Sequence, residues 1–400
     1  MPTDHSDDFD TSSVPGWLRW WAVVTLLAAA VVLVLGALIT TFGVGMSDPV
    51  WPTEPWFLAT NGHVWADEPR PGFLIEHTHR LAAWAIGLFA VVLAVGAWQT
   101  EPDPRLRRVG TWAVVALLVA YLGLHSEMRV AWQARQAGEG LRWPAVSGVV
   151  VALTLAGVGG ACLAAVRAGS PGRGFRAAAT AALVAVMAQG LLGGYRVFLN
   201  QLVGTQLAAI HGAFGQATFA LVAAVVALAV ARRGLPEVER RWVYPIAVGL
   251  LAATALQLVW GVWVRHLGSP LGQRLHILTA FVVVGLAVWA AVQVLSTPAG
   301  RDRLGSAAYH LLAVLAVQVS LGVEAYVGKF VVAGPAAQVA AVDRRVTPKA
   351  AAVRTAHTLI GAAVLASATV LVVRTGRPGG GRVPAVTGRT AGLREVLAVG

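Results

Sequence analysis

The sequence predicts an all-α integral membrane protein, a polytopic bundle of about ten transmembrane helices in two pseudo-repeated four-helix halves with one inserted helical hairpin. Three observations carry this expectation. Hydrophobic residues make up 57% of the 400 positions and charged residues only 12%. The apolar residues fall into runs of about twenty or more, the length that crosses a hydrocarbon layer. Motif-bearing segments also recur along the chain. A spanning chain must satisfy its peptide groups internally, so it is helical or a closed barrel. Continuous Leu, Val and Ala runs without period-two alternation exclude the barrel.

In chain order the apolar runs place spans at 17–43, 78–99, 109–126, 144–166, 175–198, 207–231, 242–264, 275–295, 306–328 and 355–374. The first follows an acidic stretch (Asp4, Asp7, Asp8, Asp10) and is too long for a signal-peptide core, so it reads as a retained anchor. Residues 1–16 and 376–400 read as disordered cytoplasmic tails, the second rich in Gly, Arg and Thr. Between them the expected units are 17–100 and 174–232 for the first half, 101–173 for the inserted hairpin and 233–375 for the second half.

A formal net charge of +12 would suggest nucleic acid in a soluble domain. Here the arginines sit in short loops (Arg105, Arg107, Arg108; Arg167, Arg173, Arg176; Arg232, Arg233, Arg240, Arg241; Arg301, Arg303). They are read as setting topology, with both termini cytoplasmic and no nucleic-acid partner. Cys162 is the only cysteine, which excludes an intrachain disulfide and a thiolate metal cluster.

On this topology His79, His211, His276 and His357 all stand near the start of helices that enter from outside, at one depth. An imidazole in such a place is costly unless it binds something. A repeat sorts the four into pairs. Gln189 to Val197 precedes His211 and Gln318 to Val327 precedes His357, both as Gln-x-x-Leu-Gly. Glu76 and Gln273 each stand three residues before a histidine, on the same helix face. Arg80, Arg274 and Arg354 lie one to three residues from His79, His276 and His357. Haem iron takes axial imidazoles, and porphyrin propionates take Arg near water, so two facing pairs suit two buried haems. The same arginines also suit lipid headgroup phosphates.

These residues resemble the haem A synthase family. The match lies in Glu76-His77-Thr78-His79-Arg80, in the Gln189 to Val197 helix, and in Gly43 to Pro55 as a first outer loop containing Trp-Pro. His276 and His357 fall where a second repeat would have them. The resemblance implies a bacterial-type plasma-membrane oxidoreductase that oxidises a ring methyl of haem O to the formyl of haem A, in support of terminal oxidase assembly. It implies that His79 and His211 hold the substrate haem O, with Glu76 beside it to move protons or stabilise positive charge. His276 and His357 would hold a permanent haem b that relays electrons. A farnesyltransferase that makes haem O and an electron donor of unassigned identity are the implied partners, alongside membrane lipid. Homo-oligomerisation is left open.

The chain departs from the family pattern in two ways. It lacks the cysteine pair many members carry in the first outer loop, and it has two extra spans at about 101–173. In that insert Tyr121 to Val130 shares Gly, Leu, Arg and Val in register with Ala188 to Val197, as a decayed copy would. His77 is read as lining the site, since each residue advances ~100° around the helix. His125, His266 and His310 are read as satisfied interhelical or interfacial residues, and His63 and His5 as solvated. The alternative function is a dihaem b-type electron-transfer cytochrome without haem-modifying activity, which would use the same histidines but not Glu76.

Overall fold

The computed structural model describes residues 14–47, 72–139, 145–230, 234–328 and 346–376. These form ten long helices, each long and apolar enough to cross a membrane: α1 (Gly16–Phe42), α2 (Phe73–Gln99), α3 (Pro104–Gln136), α4 (Ala145–Arg167), α5 (Arg173–Val203), α6 (Thr205–Ala229), α7 (Glu237–Leu267), α8 (Pro270–Leu295), α9 (Pro298–Tyr326) and α10 (Pro348–Thr375). All ten expected spans correspond to helices. The tails, His5, His63 and the Asp48 to Pro55 part of the outer-loop motif lie outside the described residues.

Several helices outrun the spans read from hydropathy, and local chemistry explains where they start. Asp103, Ser269, Thr297 and Thr347 each cap a helix whose first residue is proline: their side chains accept from the backbone N–H of Arg105, Gly272, Gly300 and Ala350. Such a residue satisfies an orphan donor, while proline lacks the one that would be wasted. The polar turn Pro104–Arg108 therefore joins α3 although no apolar window includes it. At the other end α1 and α7 stop on Gly43 and Gly268, both left-handed (φ 67° and 61°), a conformation that costs glycine nothing.

Packing divides the helices into two equivalent bundles. In the first, α1 packs on α2 and α6, and α5 on α2 and α6; in the second, α7 packs on α8 and α10, and α9 on α8 and α10. Contacts between the bundles obey the same exchange: α6 meets α10, while α1 against α10 is matched by α7 against α6. This is the isologous pattern of a two-fold axis, here within one chain and running between α6 and α10. Small residues line that seam, with Ala29, Phe219, Ala220, Ala223, Ala362, Leu365 and Ala366 buried together. Without a hydrophobic force between helices in lipid, small side chains let backbones approach and gain dispersion contact.

The α3–α4 hairpin packs outside the first bundle, on α2 and α5. Val114, Leu117, Val158 and Ala161 of the hairpin share one buried core with Ala90, Ala94 and Trp98 of α2 and Leu183 of α5. Trp98 donates to Thr180 Oγ1 at 3.1 Å. At the hairpin's two ends Glu101, in the α2–α3 turn, meets Arg176 at 2.7 Å and Ser170 at 2.8 Å, and all three are buried. Arg176, expected from sequence to be a loop cation that sets topology, is instead a fully buried partner, because Glu101 supplies its counter-charge. Cys162 is free and half-buried in α4.

Candidate haem-binding site

Each of the four histidines stands against a glycine of the preceding bundle helix. A β-carbon at Gly36 of α1 would lie 3.2 Å from His79 Cε1; at Gly193 of α5, 3.7 Å from His211 Cε1; at Gly261 of α7, 3.1 Å from His276 Cε1; and at Gly322 of α9, 3.2 Å from His357 Cε1. Four helical hairpins thus present one imidazole each over a bare backbone. Because glycine takes a helix interior at a cost of about 1 kcal/mol relative to alanine, its use at four equivalent places calls for a steric reason. The imidazoles provide it at Gly36, Gly261 and Gly322, while at Gly193 the separation is ordinary contact.

A second layer repeats as well. Four residues before the glycine, Gln189 donates to His211 O at 3.2 Å, Gln257 donates to His276 O at 2.9 Å, and Gln318 Nε2 lies 3.3 Å from His357 Nε2. The equivalent position in α1 is Val32. A small residue follows each histidine by four positions, Ala83, Gly215, Ala280 and Gly361; a β-carbon at Gly361 would approach Gln318 Nε2 to 3.0 Å. His276 Nδ1 lies 3.1 Å from Gln257 O. With Nδ1 protonated this bond leaves Nε2 with its lone pair, the arrangement found in metal-ligating histidines.

The imidazoles meet in pairs. His276 and His357 have ring centroids 6.3 Å apart. Two imidazoles on opposite sides of one metal, at nitrogen–metal distances of about 2.0–2.1 Å, have centroids roughly 6 Å apart. His79 and His211 lie within electrostatic reach of each other across the first bundle. The backbone at Val32 and Gln318 acts on His79 and His357 as that at Gln257 does on His276, while Nδ1 of His211 is buried with no hydrogen-bond partner among the described residues. Among the described residues no three His, Cys, Asp or Glu side chains converge as a bare metal ion would require. Pairs of imidazoles cradled on glycine fit axial ligation of a planar macrocycle, so the donor set fits two haems.

The pairs differ in their surroundings. Glu76 and Arg80 are both buried and form an ion pair at 2.9 Å. Arg80 is therefore engaged one turn away, whereas Arg274 and Arg354 are exposed at the same end of the bundle. His77 is buried and stacks on Phe73 (centroids 5.4 Å, planes 20° apart). Arg196 of α5, not singled out from sequence, acts electrostatically on Glu76, Arg80, His79 and His211. Its guanidinium lies against Gly45, where a β-carbon would fall 2.1 Å from Nη2. The signal for it was present: Arg196 stands three residues after Gly193.

The remaining histidines separate. His310 is exposed. His125 of α3 is buried, yet neither ring nitrogen has a partner, so the expectation of a satisfied residue fails. It is held by aromatic packing, with Tyr121 at 4.6 Å and Trp84 at 6.3 Å between centroids. The tyrosine hydroxyl rests on Gly190, where a β-carbon would be 2.2 Å away. The hairpin carries no further imidazole pair: the position equivalent to Gly193 is Ser126, which is exposed, and α4 has no histidine to face it. His266 of α7 reaches α6, its Nε2 3.4 Å from a β-carbon at Gly212.

Comparison with known proteins agrees with the direction of these observations. The chain is 36% identical over 83 residues to a protein named Heme A synthase from Geobacillus kaustophilus, covering 20% of this chain and 24% of that one. It is 28% identical over 103 residues to one of the same name from Alkalihalophilus pseudofirmus (26% of this chain, 33% of that one). A third, from Shouchella clausii, is 32% identical over 83 residues (20% and 26%). The matched segments thus span a quarter to a third of these relatives. No family model and no solved structure matches the chain.

Proposed function

We propose that this integral membrane protein is a haem A synthase-like oxidoreductase, taking haem O at His79 and His211 and holding a b-type haem at His276 and His357. The observation that carries the reading is the asymmetry of two otherwise equivalent imidazole pairs: among the described residues a buried ion pair, Glu76–Arg80, stands beside the first and none beside the second. The similarity to relatives named Heme A synthase supports the same substrate and product. The protein would then serve terminal oxidase assembly from a plasma membrane, with both termini cytoplasmic.

The resident haem would supply one-electron transfer. The residues of this chain do the rest. Gly36 and Gly193 let the substrate's macrocycle and its axial imidazoles approach the helix backbones, and the apolar helix faces exclude water. Gln189 fixes the helix turn that carries His211. Oxidising the ring methyl to a formyl group is coupled to the movement of protons, here near the outer end of α2. There Glu76 accepts and passes them, while Arg80 holds one carboxylate oxygen at 2.9 Å. Arg196, Arg274 and Arg354 provide cations for the propionates at the water-facing edge.

Co-expression with a source of haem O, followed by pigment extraction and haem identification, tests ligand and reaction together. Haem A in the extract is the expected result. Pigment without haem A would favour a dihaem cytochrome, and a purified protein without a Soret band would defeat both readings.

A further inference from the structure

The last turn of α7 reaches α1, α6 and α10 close to the imidazole contacts. Arg265 Nη2 donates to Ala37 O at 2.8 Å and to Thr41 Oγ1 at 3.0 Å, both on α1. Nη1 donates to Thr358 Oγ1 and, at 3.4 Å, to Arg354 O, both on α10. Ala37 follows Gly36, which backs His79; Thr358 follows His357; Gly212, which His266 approaches, follows His211; and Arg265 lies one turn beyond Gly261, which backs His276. One guanidinium fork therefore ties the first bundle to the second within a residue of the imidazole contacts on both sides.

Two features set this arginine apart from a structural strut. Its donors go to neutral oxygens, and among the described residues no carboxylate pairs with it; the charged group that acts on it there is another cation, Arg354. Its half-buried charge acts on His357 of the second pair, and a low-dielectric setting screens it little. The repeat is also broken here. In α1 the positions equivalent to Arg265 and His266 are Thr40 and Thr41, and Thr41 is one of the acceptors. Two guanidiniums facing each other across the pseudo-axis would repel, so one side donates and the other accepts.

We infer that Arg265 is a positioning residue that couples the two imidazole pairs, holding them in fixed relation and setting the relative ease with which the groups bound to them are reduced. This rests on the two-haem reading above. Wild-type protein without a Soret band would remove that reading, whereas the outcomes below concern Arg265 alone.

The test is a redox titration of purified, pigment-loaded protein, with rapid-mixing measurement of electron transfer between the two pigments. Arg265→Met should retain pigment, shift the one-electron equilibrium between the sites by about tenfold, equivalent to about 59 mV, and slow transfer. Arg265→Lys should restore most of the equilibrium but not the rate. The Thr41→Val/Thr358→Val pair keeps the charge, so it serves if Arg265→Met fails to fold; it should slow transfer while leaving potentials near wild type. Pigment-free protein gives a second readout: spin labels at Phe42→Cys and Ala352→Cys in a Cys162→Ser background should show a distance distribution that broadens in Arg265→Met. Unchanged potentials and transfer rates, with or without broadening, would overturn the inference.

Discussion

Gly322 lies so close beneath His357 that a β-carbon would stand 3.2 Å from the imidazole Cε1, and Gly261 approaches His276 within 3.1 Å in the same sense. At Gly193 the corresponding distance to His211 is 3.7 Å, ordinary contact. Overpacking costs typically about 1–3 kcal/mol. Gly261→Ala and Gly322→Ala are therefore expected to weaken haem retention by about tenfold or more, whereas Gly193→Ala should bind nearly as wild type. Haem per protein from Soret absorbance during dilution reads the difference. Equal losses at all three positions would refute the steric reading.

Glu76 and Arg80 form a pair that predicts two separable phenotypes. Glu76→Gln preserves shape and removes the proton acceptor, so the protein should keep its bound pigment and yield no haem A. Arg80→Leu removes the cation that meets the buried Glu76 carboxylate at 2.9 Å, and breaking a buried pair from one side costs about 3–5 kcal/mol. It should lower the unfolding temperature of detergent-solubilised protein more than Glu76→Gln does. Pigment analysis and thermal scans on the same preparations check both, and normal haem A from Glu76→Gln would end the proposed role of this carboxylate.

The Tyr121 hydroxyl occupies the space a β-carbon would take at Gly190, at 2.2 Å, but the ring carbon that bears it is 3.5 Å away. Gly190→Ala should therefore push the hairpin off α5 and destabilise the protein. Tyr121→Phe should be mild alone and should rescue Gly190→Ala. A double-mutant cycle on thermal stability measures the coupling, and additivity would show that the contact is not made.

Neither ring nitrogen of His125 has a partner although the side chain is buried. Removing an unsatisfied buried polar group recovers a cost of about 1–3 kcal/mol. His125→Phe, apolar and flanked by Trp84 and Tyr121, should leave stability unchanged or raise it, with haem A formation intact. Loss of haem A formation in a stable His125→Phe protein would instead assign the hairpin a part in the reaction.

Hydropathy made all ten helices legible, because a hydrocarbon solvent leaves the chain few choices. The four histidines were legible for the same reason: an imidazole inside an apolar run stands out. The glycines facing His79 and His276 were harder to find. Gln189 and Gln318 advertise their motif through Leu-Gly, but the α7 copy reads Gln257 to Trp260-Gly261 and the α1 copy has Val32 in place of glutamine. Only the backbone approach shows these as the same device. Arg265 was invisible to pattern reading because its partners lie on α1 and α10, more than two hundred and about ninety positions away in sequence. Arg176 read as a loop cation until the fold buried it against Glu101.

That buried contact has a consequence for the insert as a piece of architecture. Glu101 and Ser170 touch, so the path through α3 and α4 leaves the first bundle and returns to it at essentially one point. An excursion with coincident entry and exit, made of an even number of crossings, imposes no strain and no change of sidedness on the helices it interrupts. A short turn between Thr100 and Arg173 would therefore join α2 to α5 directly.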